Sequence, residues 1–300
     1  MTGPMTGGSE PGTAFAPAEP FRMVVEEGKI REFARATASP CAQHLRGEDP
    51  VAPMTFLASH RLWMAGDRHS GWHGTHRDFR YLLHGQEEFI FHGPSPAPGT
   101  VLTVRQSIKR QYEKRGRRGG TMVFTELVTR FWTGAGNEDN PLVEERSVLI
   151  STEPPPADAP SGTSGSAPVS APAPVEAVAV PGEPVFDILR PAFTVTDFVR
   201  YQGASGDFNP IHHDTAFALS SGKPGPFAVG MLAAAVAANQ LTAVVGDGTV
   251  HRYRVRWSEI AWPGDALRYQ GTQIGPTSYQ IDVTRPDGHH HLTAWAEVTG

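Results

Sequence analysis

Stretches that alternate apolar and polar side chains recur along this chain, and two long stretches carry no period at all. Residues 121–133, 144–151, 278–284 and 292–298 alternate as half-buried antiparallel strands do. Shorter strand-like runs flank a Pro-Gly turn twice. Phe89-Ile90-Phe91 leads through Pro98-Gly99-Thr100 to 101–104, and 254–257 leads through Pro263-Gly264-Asp265 to 267–269. Helical periodicity precedes each set. Short amphipathic helices are predicted over 25–37 and 196–203, the latter with Thr196 as N-cap. A second, more apolar helix follows each, over 54–64 after Pro53 and over 231–245 after Gly225-Pro226. Helix, helix, then a meander of strands, twice over, predicts a duplicated unit in which an antiparallel sheet wraps a buried helix.

The aperiodic stretches are 1–19 and 153–184, composed mostly of Gly, Pro, Ala, Ser, Thr and Val. Such segments bury too little apolar area to offset chain entropy. A disordered tail and an interdomain linker are expected there, leaving two bodies at 20–152 and 185–300. The run 227–246 approaches membrane-spanning length. It contains Asn239, Gln240 and Thr242 and lacks an aromatic or basic girdle, so it reads as a core helix enclosed by sheet.

Composition narrows the function. Glycine (32) and proline (27) are about a fifth of the 300 residues, against an average near an eighth, which agrees with the linker. The single cysteine, Cys41, cannot form an intramolecular disulfide, and no leader pattern opens the chain, so a cytoplasmic location is expected. A net charge of -5 argues against a general nucleic-acid binder.

The run 201–214, Y-Q-G-A-S-G-D-F-N-P-I-H-H-D, carries the candidate chemistry. Gly206 and Asn209-Pro210 force turns on both sides of Asp207, so Asp207 and His212 can face one another across a tight loop. A carboxylate and an imidazole so placed can hold a water and move protons near neutral pH, while Asn209 fixes the loop or the water. Further on, Gly230 begins the apolar helix. Its backbone N–H, at a helix start and unshielded by a side chain, makes an oxyanion site.

These residues resemble the MaoC-like (R)-specific enoyl-CoA hydratase and 3-hydroxyacyl dehydratase family. The match lies in Gly206, Asp207, Asn209, Pro210, His212 and Asp214, then Gly230-Met231-Leu232, then Pro263-Gly264-Asp265. The first body resembles the family's non-catalytic half, through Ala52-Pro53-Met54-Thr55-Phe56 and Leu83-His84-Gly85-Gln86-Glu87. Val229 departs from the pattern, standing where many relatives carry His. The resemblance implies an α+β double hot dog of the fused type, each half an antiparallel sheet wrapped around a central helix. It implies a hydro-lyase of acyl-CoA and fatty-acid metabolism, with Asp207 and His212 catalytic, Gly230 the oxyanion donor, and Asn209 and Gly206 positioning the loop. No metal or other cofactor is expected. The expected partner is an acyl thioester of coenzyme A or of acyl carrier protein, with no nucleic acid and no membrane insertion, and a homodimer of double hot dogs is possible. A hot-dog thioesterase and a non-catalytic acyl-CoA-binding protein are the alternatives.

The link between the two helices of the first half is shorter than its counterpart in the second. An acyl channel is therefore expected to run toward the first half, lined by Phe56, Leu57, Leu62 and Trp63. Asp214 reads as the cap of a short helix over 215–219. His69, His73 and His76 read as a polar loop rather than a metal site, and His289 to His291 as a solvated turn. The basic run from Lys109 to Arg118 reads as a turn between strands or as a patch for phosphates or an acidic carrier.

Overall fold

The computed structural model describes residues 15–46, 50–73, 78–116, 120–134, 137–153 and 183–300. The first half contains β1 (Phe21–Val24), α1 (Glu27–Ala36), α2 (Ala42–Leu45) and 3₁₀ helices at Phe56–Trp63, Asp67–His69 and Phe79–Tyr81. Four strands complete it: β2 (Leu82–Phe91), β3 (Val101–Arg115), β4 (Thr121–Trp132) and β5 (Val143–Thr152). The second half contains β6 (Phe186–Arg190), α3 (Val195–Ser205), a 3₁₀ turn at Pro210–His212, α4 (Thr215–Ser220) and α5 (Gly230–Val245). It ends with β7 (Val250–Trp257), β8 (Leu267–Gly275), β9 (Ser278–Thr284) and β10 (His290–Val298).

All ten strands form one sheet, in the order β1-β3-β4-β5-β2-β7-β10-β9-β8-β6. The halves join where β2 pairs antiparallel with β7, from Gln86 opposite Arg256 to Ile90 opposite Arg252. This is the double hot dog that the resemblance implies.

In the second half the sheet wraps α5, whose residues from Met231 to Ala238 are all buried. Five of those eight are alanines, which let the strands come close. Tyr253, fully buried on β7, donates its hydroxyl to the Ala234 carbonyl at 2.7 Å. Asn239, also fully buried, ties α5 to the first half. Its Nδ2 donates to Thr37 Oγ1 at 2.9 Å, at the C-terminal end of α1.

Among its described residues the first half has no equally long central helix. The predicted helix over 54–64 is a 3₁₀ helix of eight residues, with Phe56 N–H donating to Pro53 O and Ala58 N–H to Thr55 O. Five consecutive residues, Phe56 to His60, are buried. One-sided amphipathicity is therefore absent, as expected of a segment enclosed on several sides. α1 fills the remaining space, with Phe33 edge-on to Phe56 and tilted against Tyr201 of α3, ring centroids 5.8 and 5.7 Å apart.

Other elements shift from expectation. α3 begins one residue earlier, capped by Thr194 rather than Thr196: Thr194 Oγ1 accepts from Asp197 N–H while Asp197 Oδ2 accepts from Thr194 N–H. β3 continues to Arg115, so Lys109 to Arg115 lie on a strand paired with β4 rather than in a turn; residues 117–119 lie outside the described residues. Of the expected tail, 1–14 lie outside the described residues, whereas Ala18 N–H donates to Gln106 O and Phe15 packs near Trp72. Residues 154–182 of the expected linker also lie outside them. His290 and His291 belong to β10, and His291 is buried with Nδ1 2.7 Å from Glu259 O, not solvated. Among the described residues no helix is long and apolar enough to cross a membrane.

Candidate active site

α3 ends at Gly206, whose φ of +77° and N–H donation to Gln202 O make a left-handed cap. The chain then folds back. Asp207 Oδ1 accepts the Asn209 N–H at 3.4 Å, Asn209 Oδ1 accepts the Ile211 N–H at 3.2 Å, and Pro210 opens the 3₁₀ turn that returns His212 toward Asp207. Gln202, almost fully buried, clasps this loop. Its Nε2 donates to the carbonyls of Asp207 (2.8 Å) and Asn209 (3.0 Å), and its Oε1 accepts from His213 Nδ1 at 2.8 Å. Asp214 caps α4 by accepting the Phe217 N–H.

His212 is buried, with Nδ1 2.8 Å from the Phe227 carbonyl. A carbonyl only accepts, so Nδ1 carries the proton and Nε2 keeps a lone pair for a substrate or water. Burial lowers the imidazole below its ordinary value, an effect that Asp207 and the Phe227 carbonyl oppose. Burial raises Asp207, yet Arg61, His212 and the Asn209 N–H outweigh it and hold the carboxyl below the usual carboxylate range. At neutral pH the loop thus presents a carboxylate and a neutral imidazole. Such a pair can orient a water through one group and take its proton with the other.

Phe227 lies three residues before Gly230, so the carbonyl that orients His212 belongs to the segment leading into α5. Gly230 is the first residue of that helix, and its N–H has no acceptor within the helix. Trp257 Nε1 donates to the Gly230 carbonyl at 3.1 Å, fixing the peptide beyond it. A Cβ on Gly230 would lie 3.0 Å from that indole nitrogen.

The first half reaches the same place. Arg61 Nη1 lies 3.9 Å from Asp207 Oδ2, Phe79 O accepts from Asn209 Nδ2 at 3.4 Å, and Leu62 packs on Gly206. The His84 ring is tilted against Trp257 with centroids 4.3 Å apart, and its Nε2 lies 2.8 Å from Glu87 Oε2. The predicted site residues Gly206, Asp207, Asn209, His212 and Gly230 all belong to the loop and the start of α5. Of the expected channel, Leu62 meets the loop, Trp63 is half-buried against the core, and Phe56 and Leu57 are packed within it. His69 and His73 turn Nδ1 toward backbone carbonyls of Glu19 and Ser70; His76 lies outside the described residues. Among the described residues no group of three or more His, Cys, Asp or Glu is arranged to hold a metal ion. Gln202 and Arg61 escape the sequence reading. Arg61 left one sign, a fixed charge inside an apolar run.

Residues 176–290 match the family model described as MaoC like domain, and residues 9–138 match that of the FAS1-like, dehydratase domain region. A 95-residue segment is 33% identical to the peroxisomal multifunctional enzyme type 2 of Mus musculus; it is 31% of this chain and spans only 13% of that enzyme. A MaoC-like dehydratase from Phytophthora Capsici superposes with TM-score 0.72 at 18% identity, covering 95% of this chain and 96% of that one. A Mycobacterium tuberculosis protein described as having a double hotdog fold superposes with TM-score 0.61 at 13% identity, covering 96% and 98%. The second half thus matches a MaoC-like dehydratase domain model and the first that of a FAS1-like dehydratase region, which supports a hydratase or dehydratase role.

Proposed function

We propose that this MaoC-like chain catalyses the reversible addition of water to a trans-2-enoyl thioester, giving a (3R)-3-hydroxyacyl thioester. The observation that carries this is the anchoring of His212 Nδ1 on the Phe227 carbonyl. It frees Nε2 as a base beside the Asp207 carboxylate and couples the loop to the helix start that presents the Gly230 N–H.

In this mechanism Asp207 and His212 Nε2 hold one water. As its oxygen bonds to C3, His212 takes a proton, and the π electrons of the C2–C3 double bond move toward the thioester carbonyl. The oxygen of that carbonyl gains charge, and the Gly230 N–H stabilises it at the positive end of α5. The electrons return to C2 as C2 takes up the proton, which restores the pair. Dehydration runs the same steps backward. The exposed rings of Phe208 and Phe79 flank the loop, where the acyl thioester would enter. Its tail would run past Leu62 and Trp63 toward the first half.

The test is a panel of trans-2-enoyl-CoA and enoyl-carrier substrates from four to twelve carbons, followed by loss of enoyl absorbance and by thiol release. Absorbance loss without free thiol is expected, with kcat/KM rising beyond four carbons by up to about 0.8 kcal/mol per buried methylene. Thiol release from saturated acyl thioesters would instead identify a thioesterase.

A further inference from the structure

We propose that Arg61, supplied by the half that lacks the Asp-x-Asn-Pro-x-His run, is a positioning residue that orients Asp207 and keeps it ionised. Its kinetic consequence presupposes the hydration reading; its electrostatic consequence does not.

The 3₁₀ helix bearing Arg61 is pressed onto the loop. The next residue, Leu62, meets Gly206 with both its backbone nitrogen and its side chain, and Phe79 O holds Asn209 from a second 3₁₀ helix. Arg61 is therefore fixed in place relative to Asp207. At 3.9 Å the contact is electrostatic rather than a hydrogen bond, which leaves the carboxylate's lone pairs to the Asn209 N–H and to water.

Two further carboxyls stand near Arg61, Glu87 on β2 and Glu145 on β5, each 1% exposed. Glu87 accepts the Ser147 hydroxyl and lies beside His84; Glu145 Oε2 lies 3.3 Å from His60 Nδ1. Burial pushes both carboxyls well above the usual carboxylate range, and for Glu145 the neighbouring Glu87 adds to it. Burial, reinforced by Arg61, lowers His60 and His84 to about 3, so both are neutral. The Tyr201 hydroxyl, facing the cluster from α3, is pushed up by burial and stays protonated. His212, from the loop's own turn, is lowered and neutral at pH 7. Of the groups that face Asp207 from these elements, Arg61 is then the one that carries charge near neutral pH. Asp207 is the anion that balances it.

The experiment compares the full-length parent with Arg61→Met and Arg61→Lys by ¹³C NMR titration of aspartate carboxyls, the Asp207 resonance assigned by its loss in Asp207→Asn. In Arg61→Met the Asp207 midpoint is expected to rise by about one pH unit or more, whereas Arg61→Lys, which retains charge, stays near the parent. With an active substrate, Arg61→Met should lower kcat about tenfold or more while KM changes less than about twofold. Arg61→Gln replaces the Met variant if the latter does not fold. An unmoved Asp207 midpoint in the neutral variant, or a Lys variant shifted as far as the neutral one, overturns the assignment. If the parent hydrates no enoyl thioester, the hydratase reading fails while the titration still decides the role of Arg61.

Discussion

Gly206 and Leu62 touch so closely that a methyl group on Gly206 would come within 2.9 Å of Leu62 Cγ and 3.0 Å of its backbone nitrogen. Gly206 also has φ +77°, which side chains rarely adopt. Gly206→Ala is expected to destabilise the chain by about 1–3 kcal/mol and to displace Asp207. Adding Leu62→Ala should recover only part of this, because the backbone nitrogen and the left-handed conformation remain. Urea denaturation of the two single variants and the double variant checks it; full recovery in the double variant would contradict the account.

Asp207→Asn and His212→Ala should each lower turnover by about 10²–10⁴ without loss of fold, because both side chains act in a polar loop. Circular dichroism and thermal melting establish folding, and enoyl hydration gives the rate. Turnover within about tenfold of the parent in either variant would exclude that residue as acid or base.

The Glu87 carboxyl titrates higher in the folded protein, at about 8, than in an unfolded chain, because burial disfavours its charge. The folded state therefore binds more protons between the ordinary carboxylate range and about 8, and this part of the stability falls as pH rises through that window. Glu87→Gln removes that part. Its stability relative to the parent should improve from pH 5 to about pH 8 and level off above that in denaturation experiments. A difference independent of pH would show that Glu87 titrates alike in both states.

Asn239→Ala removes the hydrogen bond from α5 to Thr37 and leaves buried acceptors without a donor. A cost of about 1–3 kcal/mol is expected, with kcat near the parental value, since the substitution lies beyond the middle of α5 from Gly230. A melting temperature equal to the parent's would show that the tie contributes nothing to stability.

Local punctuation made the loop from Gly206 to His212 readable. Gly206 and Asn209-Pro210 favour turns whatever the rest of the chain does, and the apolar run after Gly230, interrupted by Asn239, Gln240 and Thr242, reads as an enclosed helix. The 3₁₀ helix at Phe56–Trp63 is less readable, because five consecutive buried residues, two of them polar, belong to neither helical nor strand periodicity. Strands β1 and β6, four and five residues at the two edges of the sheet, alternate over too short a run to stand out. Thr194 and Thr196 both suit a cap. The reciprocal bond with Asp197 decides for Thr194, and only the three-residue spacing hints at it. Arg61 and Asp207 are 146 positions apart, and no one-dimensional pattern reports that a charge in one half faces a carboxylate in the other.

The continuous pairing of β2 with β7 lets a single polypeptide do what two copies do in a symmetric dimer, without requiring the copies to match. A substitution in a homodimer appears twice, so any change that improves a supporting surface also alters the catalytic one. Here each half is free to differ: one carries an eight-residue 3₁₀ helix where the other carries the sixteen-residue α5. Dilution cannot part Arg61 from Asp207, so specific activity should stay constant at protein concentrations where two separate chains would dissociate.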